Sequence, residues 1–217
     1  MKLKLKKGLL ISIEGIDGSG KSTLCNILAD ELNKLGFPVI KTKEPGATPL
    51  GKELREMLQN RKFEINHKAE FFLFQADRAQ NISDIVVPAL NSNNIVISDR
   101  MLDSTLAYQG YARGINLDFI KEVNQFATDN IMPDLVIYLD IDYNTAIERL
   151  KSRCKTKNEK LTFFEKENEK TFKKIINGFN AIFENRDNVL KVDGTKDLDT
   201  ISAQVVNHVT EYLKNLI

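Results

Sequence analysis

The run Gly15-Ile16-Asp17-Gly18-Ser19-Gly20-Lys21-Ser22 meets every fixed position of the pattern G-x-x-x-x-G-K-[ST]. Residues of these types at this spacing cradle phosphate. Glycines let the backbone curl so that its N–H groups and the start of a following helix converge on one anion. Lys21 would reach the β- and γ-phosphates of a nucleotide, and the Ser22 hydroxyl would ligate Mg²⁺. The cradle is assigned to Gly15, Ile16, Asp17, Gly18, Ser19, Gly20, Lys21, Ser22 and Thr23.

Such a loop works only between a strand and a helix. Leu9 to Ile13 is a short apolar run suited to a buried strand. Thr23 onward has Leu24, Ile27, Leu28, Leu32 and Leu35 at helical spacing, with Gly36 as a stop. Further strands are expected at Pro38 to Thr42, Ile95 to Ser98, Leu135 to Asp140 and Val189 to Val192. Thr48-Pro49 reads as a cap with proline in the first turn, opening a helix over Leu50 to Leu58. A long helix is expected over His67 to Leu90, with Phe71, Phe74 and Ile82 among its apolar positions. Asp142 caps another, carrying Ala146, Ile147 and Leu150. Thr162-Phe163-Phe164-Glu165 reads as a capping box that starts a charged helix running to Phe183. Ile201, Val205, Val209 and Leu213 form the stripe of the last helix. Strands alternating with helices imply an α/β fold, a mostly parallel five-stranded sheet covered on both faces.

The 217 residues suit one α/β domain, and 42% apolar content supports a core. A net charge of +1, from 31 basic and 30 acidic side chains, argues against a general nucleic-acid or membrane surface. Cys25 and Cys154 are far apart and suit a reducing compartment, and with only two histidines, His67 and His208, no zinc site is expected. Lys2, Lys4, Lys6 and Lys7 resemble the start of a signal peptide, but the apolar stretch after them ends at Glu14. No segment is long and apolar enough to span a bilayer, so a soluble, cytoplasmic protein is expected.

A phosphate loop says nucleotide, not reaction. The guanine-reading N-K-x-D element of GTPase switches is missing, which leaves the small P-loop kinases. Four further stretches narrow these: Thr42-Lys43-Glu44-Pro45-Gly46-Ala47-Thr48-Pro49-Leu50-Gly51, Leu73-Phe74-Gln75-Ala76-Asp77-Arg78-Ala79-Gln80, Ser98-Asp99-Arg100 through Tyr108-Gln109-Gly110, and Pro133-Asp134-Leu135 to Asp140. With Ile13 to Thr23 and Arg149 to Arg153, they resemble the thymidylate kinases, over about Leu9 to Val192. Glu-Pro-Gly together with Asp-Arg-x₇-Tyr-Gln-Gly is the specific part; the phosphate loop is shared by many families.

The resemblance implies a three-layer P-loop kinase fold with a lid at about 151–163, in one domain over 1–217. It implies transfer of the ATP γ-phosphoryl group to deoxythymidine monophosphate (dTMP), a step towards dTTP, with Mg²⁺ as cofactor, and a homodimer. Two polyanions must meet, so the acceptor phosphate needs its own cations. Arg100 stands at a strand end, where ligands of parallel sheets bind, and Lys43 at another. By resemblance Phe74 stacks on thymine and Arg78, one helical turn on, reaches its carbonyl edge. Ser104, Thr105 and Gln109 belong to the acceptor site, and Tyr108 leaves no room for a ribose 2′-hydroxyl. Asp17 holds the sugar 3′-hydroxyl and helps to organise Mg²⁺, and Asp99 binds the metal through water. Arg149 neutralises the donor phosphates and Arg153 lies against adenine. The catalytic set is then Lys21, Arg100, Asp17, Asp99 and Arg149; the metal set is Ser22, Asp99 and Asp17.

Each role has a plainer rival. Phe74 could be core beside Phe71 and Phe72, Arg78 and Arg100 could sit in ordinary ion pairs, Tyr108 and Gln109 could only support their loop, and the basic run Lys151 to Lys160 could be a solvated loop. The chain also departs from the family pattern. Lys43 stands for arginine, Ala47 for glycine, and Met101 for an aromatic or histidine. Family members without an arginine in the phosphate loop usually carry one in an Asp-Arg-Phe-Glu-like lid run. Here the loop has Gly18 and the aligned lid reads Thr162-Phe163-Phe164-Glu165, leaving Lys155, Lys157 and Lys160 as substitutes. Two alternatives stay open: a kinase for a nucleoside or another monophosphate, and a nucleotide-binding module with weak or lost activity.

Overall fold

The five apolar runs become five parallel strands: β1 (Leu9–Glu14), β2 (Val39–Lys43), β3 (Ile95–Asp99), β4 (Leu135–Asp140) and β5 (Val189–Asp193). Each lies within a residue of its expected limits. Their order is β2-β3-β1-β4-β5, so the strand carrying the phosphate loop lies at the centre. Every pairing is parallel, with Ile13 beside Asp99 and Lys43 beside Asp99 in register. The structure, a computed structural model, describes residues 5–214 and 216. Lys2 and Lys4 of the basic start lie outside them.

The helices are α1 (Lys21–Lys34), α2 (Pro49–Gln59), α3 (His67–Asn81), α4 (Val87–Asn91), α5 (Leu102–Thr105), α6 (Leu117–Ala127), α7 (Tyr143–Lys157), α8 (Glu169–Phe183) and α9 (Leu198–Lys214). α1 and α9 cover one face of the sheet, meeting Leu9, Ile11, Ile13, Ile95 and Ile137. The other face buries Leu10 and Val96 under α4 and Leu102, and Val136 and Tyr138 under α7 and α8. Both faces of β1 are buried, which is why it reads as a mostly apolar run broken by Ser12 and closed by Glu14. The result is the expected three-layer α/β arrangement. No helix among the described residues is long and apolar enough to cross a membrane.

Four expectations need correction. Leu35 is exposed, because α1 stops at Lys34: Phe37 N–H bonds Leu32 O at 3.0 Å, Gly36 adopts φ +92°, and buried Phe37 fills the place instead. The helix from His67 continues to Asn91, but through a π-helical turn at Ile82–Val86. Pro88 lacks an N–H and crowds the carbonyl four residues back, and a wide turn just before it relieves that. The chain from Leu102 to Ala127, without an expected element, forms α5, a second π-helical stretch (Leu106–Ala112) and α6. Finally, the capping box forms only in part. Glu165 Oε2 accepts the Thr162 N–H at 2.9 Å, but Arg153 draws the same carboxylate away. A single 3₁₀ turn, Phe164–Lys166, follows, and α8 starts behind Asn168, whose side chain caps Thr171 N–H at 2.9 Å.

Candidate active site

The carboxyl ends of β1, β2 and β3 open onto one cleft of about 1230 Å³, larger than the roughly 300–1,000 Å³ of a single-ligand pocket. At its floor the phosphate loop runs from Gly15 into α1. Gly20 caps α1 at φ +98° with no side chain on the helix N-terminus, which leaves those N–H groups free for an anion. Gly18 packs on α7: a Cβ there would meet Ala146 O at 2.6 Å, so this loop has no room for an arginine at that position. Lys21 folds back on the loop, donating to Ile16 O at 2.7 Å and Ser19 Oγ at 3.4 Å. Burial, joined by the charge of Arg100, lowers its ammonium to about 8, against Asp17, Asp99 and Glu14.

Arg100 closes β3 with φ +74° and ties the two halves of the cleft. It donates to Gly15 O at 2.9 Å, Ser104 Oγ at 3.0 Å and Tyr108 Oη at 3.3 Å, and pairs with Asp17 at 2.7 Å. Tyr108 Oη donates to Asp17 Oδ2 at 2.9 Å. Burial acts to raise the Asp17 carboxyl, but Arg100, Lys21 and the Tyr108 bond outweigh it and hold it below the usual range. Beneath them lies Glu14, fully buried, which accepts Met101 N–H at 2.7 Å and Ser104 Oγ–H at 2.6 Å. Burial and neighbouring Asp103 push it up to about 7. Its period-2 position in β1 was the available signal for this support.

Ser22 Oγ donates to Asp99 Oδ2. A hydroxyl and a carboxylate side by side are hard-oxygen donors that fit Mg²⁺, which keeps most of its shell as water and substrate phosphate. Among the described residues no group of three or more His, Cys, Asp or Glu forms a separate metal cage. Asp17 has one carboxylate oxygen on Arg100 and the other on the Tyr108 hydroxyl.

Lys43, exposed at the end of β2, faces the cleft, as do half-buried Phe74 and buried Thr105 and Gln109. Gln109 donates to Glu70 at 2.9 Å. Arg78 is almost wholly buried, donating to Glu44 at 2.8 Å, Asn124 at 2.7 Å and Met101 O at 2.9 Å, so it forms part of the cleft's floor. Arg149 reaches Ser19 O at 3.4 Å, and Arg153 grips Glu165 at 3.0 and 2.9 Å, both from α7. That helix runs to Lys157, so most of the basic run is helical rather than loop. Lys157 and Lys160 border the cleft; Lys155 does not. His67 and His208 are exposed, and neither lines the cleft.

Arg55 escaped the sequence reading. It lies on α2 one turn past buried Gly51, borders the cleft, and donates to Pro45 O at 2.8 Å in the loop after β2. The i+4 spacing from Gly51 was the signal. Asp77 fixes the same loop: its Oδ1 accepts Gly46 N–H at 2.9 Å, while its buried Oδ2 has no protein partner. Burial and the charge of Glu44 push it up to about 7 from 3.8. A folded-state value above the unfolded one means stability is fullest below pH about 4 and declines as pH rises towards 7, by about 1.4 kcal/mol per pH unit. Asp77→Asn cannot titrate. Its stability relative to the parent should therefore rise by about 2–4 kcal/mol from pH 4 to pH 8 in urea titrations. Glu14 titrates alike in both chains and cancels; a pH-independent gap would show that Asp77 is ionised throughout.

Residues 13–205 match the family model described as thymidylate kinase. A curated thymidylate kinase of Thermosipho africanus is 40% identical over 95% of this chain and 100% of its own length. That of Fervidobacterium nodosum is 38% identical over 94% of this chain and 100% of its own. That of Halothermothrix orenii is 48% identical over 66% of this chain and 69% of its own.

Proposed function

Because the chain belongs to the thymidylate kinase family, we propose that it moves the γ-phosphoryl group of ATP onto dTMP, giving dTDP and ADP. The observation that carries the residue roles is Arg100, which touches the phosphate loop at Gly15 O and the opposite pocket at Ser104 and Tyr108. The donor phosphates lie in the cradle Gly15–Thr23, with Lys21 and Arg149 on them and Arg153 towards adenine. The acceptor phosphate is met by Arg100, Lys43 and Arg55. Thymine lies against Phe74 above Arg78 and Thr105, and Asp17 takes the 3′-hydroxyl while Tyr108 crowds the 2′ position.

Catalysis on this reading is alignment plus charge neutralisation. The acceptor oxygen is already anionic at neutral pH, since the second phosphate pKa is about 6, so no base is needed. Ser22 and Asp99 would hold Mg²⁺, which would supply further charge neutralisation when bound. Lys157 and Lys160, which border the cleft, supply cations for a lid without arginine, and the segment from the end of α7 to Asn168 is that lid. It excludes water so that transfer prevails over hydrolysis. The chain is read as one catalytic domain working in the cytoplasm. It is also read as a homodimer: Phe72 of α3 and Phe119 and Phe126 of α6 are exposed, and the rings of Phe71 and Phe119 lie 6.0 Å apart, so these helices form one aromatic face. A single-chain mass in sedimentation equilibrium would remove the dimer.

A coupled assay with ATP, Mg²⁺ and a panel of nucleosides and monophosphates tests the reaction. Turnover should be highest with dTMP and negligible with thymidine; preference for thymidine or for a purine monophosphate would overturn the reading.

A further inference from the structure

Phe164 stands on the lid's 3₁₀ turn, yet its ring is buried among acceptor-side residues. Its centroid is 5.7 Å from Phe74 and 6.4 Å from Tyr108, the latter edge-on. Its turn is held from both sides. Phe163 N–H donates to Gln59 O at 3.1 Å, and the Arg61 guanidinium sits over the Phe163 ring, 3.4 Å from its centroid. On the other side Arg113 pairs with Glu167. Both arginines meet one fully buried carboxylate, Glu70: Arg61 as a close ion pair, Arg113 at 3.6 Å. Arg61 has no place in the cleft wall; it acts on the lid from behind.

We propose that Phe164 is a base-contacting residue lent to the acceptor pocket by the lid, and that Glu70, with Arg61 and Arg113, is the clasp that positions it. This rests on the acceptor reading given above. Phe163 occupies the place where the family pattern has the lid arginine, so this chain uses that position for docking rather than for charge. A pyrimidine base against Phe74 touches Phe164 only when the turn is docked, so acceptor binding and docking favour each other. Such coupling is reciprocal: what strengthens docking strengthens acceptor binding by the same factor.

The chain has no tryptophan, so Phe163→Trp installs a single fluorescent reporter beside Arg61. Its emission should change saturably with dTMP in the absence of ATP. Calorimetry should show Phe164→Ala weakening dTMP binding about five- to tenfold, with binding of a non-hydrolysable ATP analogue alone within about twofold. Arg61→Ala should weaken dTMP a few-fold although Arg61 does not itself line the cleft, and Phe164→Leu, which keeps the turn filled, should restore part of the loss. If Phe74→Ala weakens dTMP binding while Phe164→Ala and Arg61→Ala do not, the lid has no part in the acceptor pocket and the proposal is overturned. If Phe74→Ala has no effect either, the acceptor reading falls and takes this proposal with it.

Discussion

Arg100→Ala should lower kcat/KM for dTMP about a thousandfold, while ATP affinity falls less than about fivefold. The guanidinium touches both the phosphate loop and the acceptor pocket, through Gly15 O, Asp17, Ser104 and Tyr108. Burial works against its charge, but Tyr108, Asp17, Asp99 and Glu14 together hold it firmly protonated. It therefore brings a fixed positive charge to the point where two phosphates converge, and preorganised charge is worth most in such a site. Arg100→Lys keeps the charge without the fork and should recover only part of the rate. The small expected loss of ATP affinity traces to Gly15 O. A loss of ATP affinity equal to the loss in dTMP turnover, measured by calorimetry beside steady-state kinetics, would assign Arg100 to the donor side.

Phe74→Ala should raise KM for dTMP by about ten- to a hundredfold, because stacking a base on an aromatic ring is worth about 1–3 kcal/mol. KM for ATP should stay within about twofold. The contrast is Phe71, three residues earlier on α3, which is fully buried against Phe119. Phe71→Ala should instead cost about 3–5 kcal/mol of stability. Phe74 is only half-buried and borders the cleft, with the lid's Phe164 beside it. Unchanged acceptor kinetics with a lowered melting temperature in Phe74→Ala would return this ring to the core.

The central strands β1, β3 and β4 were legible because they are parallel and buried on both faces, which writes them as mostly apolar runs, while the edge strands β2 and β5 showed as short β-branched stretches interrupted by lysine. The loop Gly15–Ser22 was legible because its glycines answer to backbone geometry, and Thr48 and Asp142 because capping is local. Leu102 to Ala127 was not. Its first half winds as a π-helix whose spacing matches neither usual period. α6 did carry a signal, Phe119, Ile120, Val123, Phe126 and Ala127 at helical spacing behind the Asn116 cap. The box at Thr162 to Glu165 misled because its glutamate answers to Arg153 as well as to the local backbone. Phe74, Asp17 and Arg100 could be picked from motifs. Glu70 and Arg61 could not, since their partners are set by how α3 and the lid pack, and a single sequence carries no record of such pairs.

The most direct test of the convergence of donor and acceptor on Arg100 is a crystal structure with dTMP and a non-hydrolysable ATP analogue bound together. The acceptor phosphate should lie against the Arg100 guanidinium with thymine on Phe74 and the triphosphate in the cradle Gly15–Ser22. A dTMP phosphate held anywhere else, with Arg100 still closed on Asp17, would contradict it.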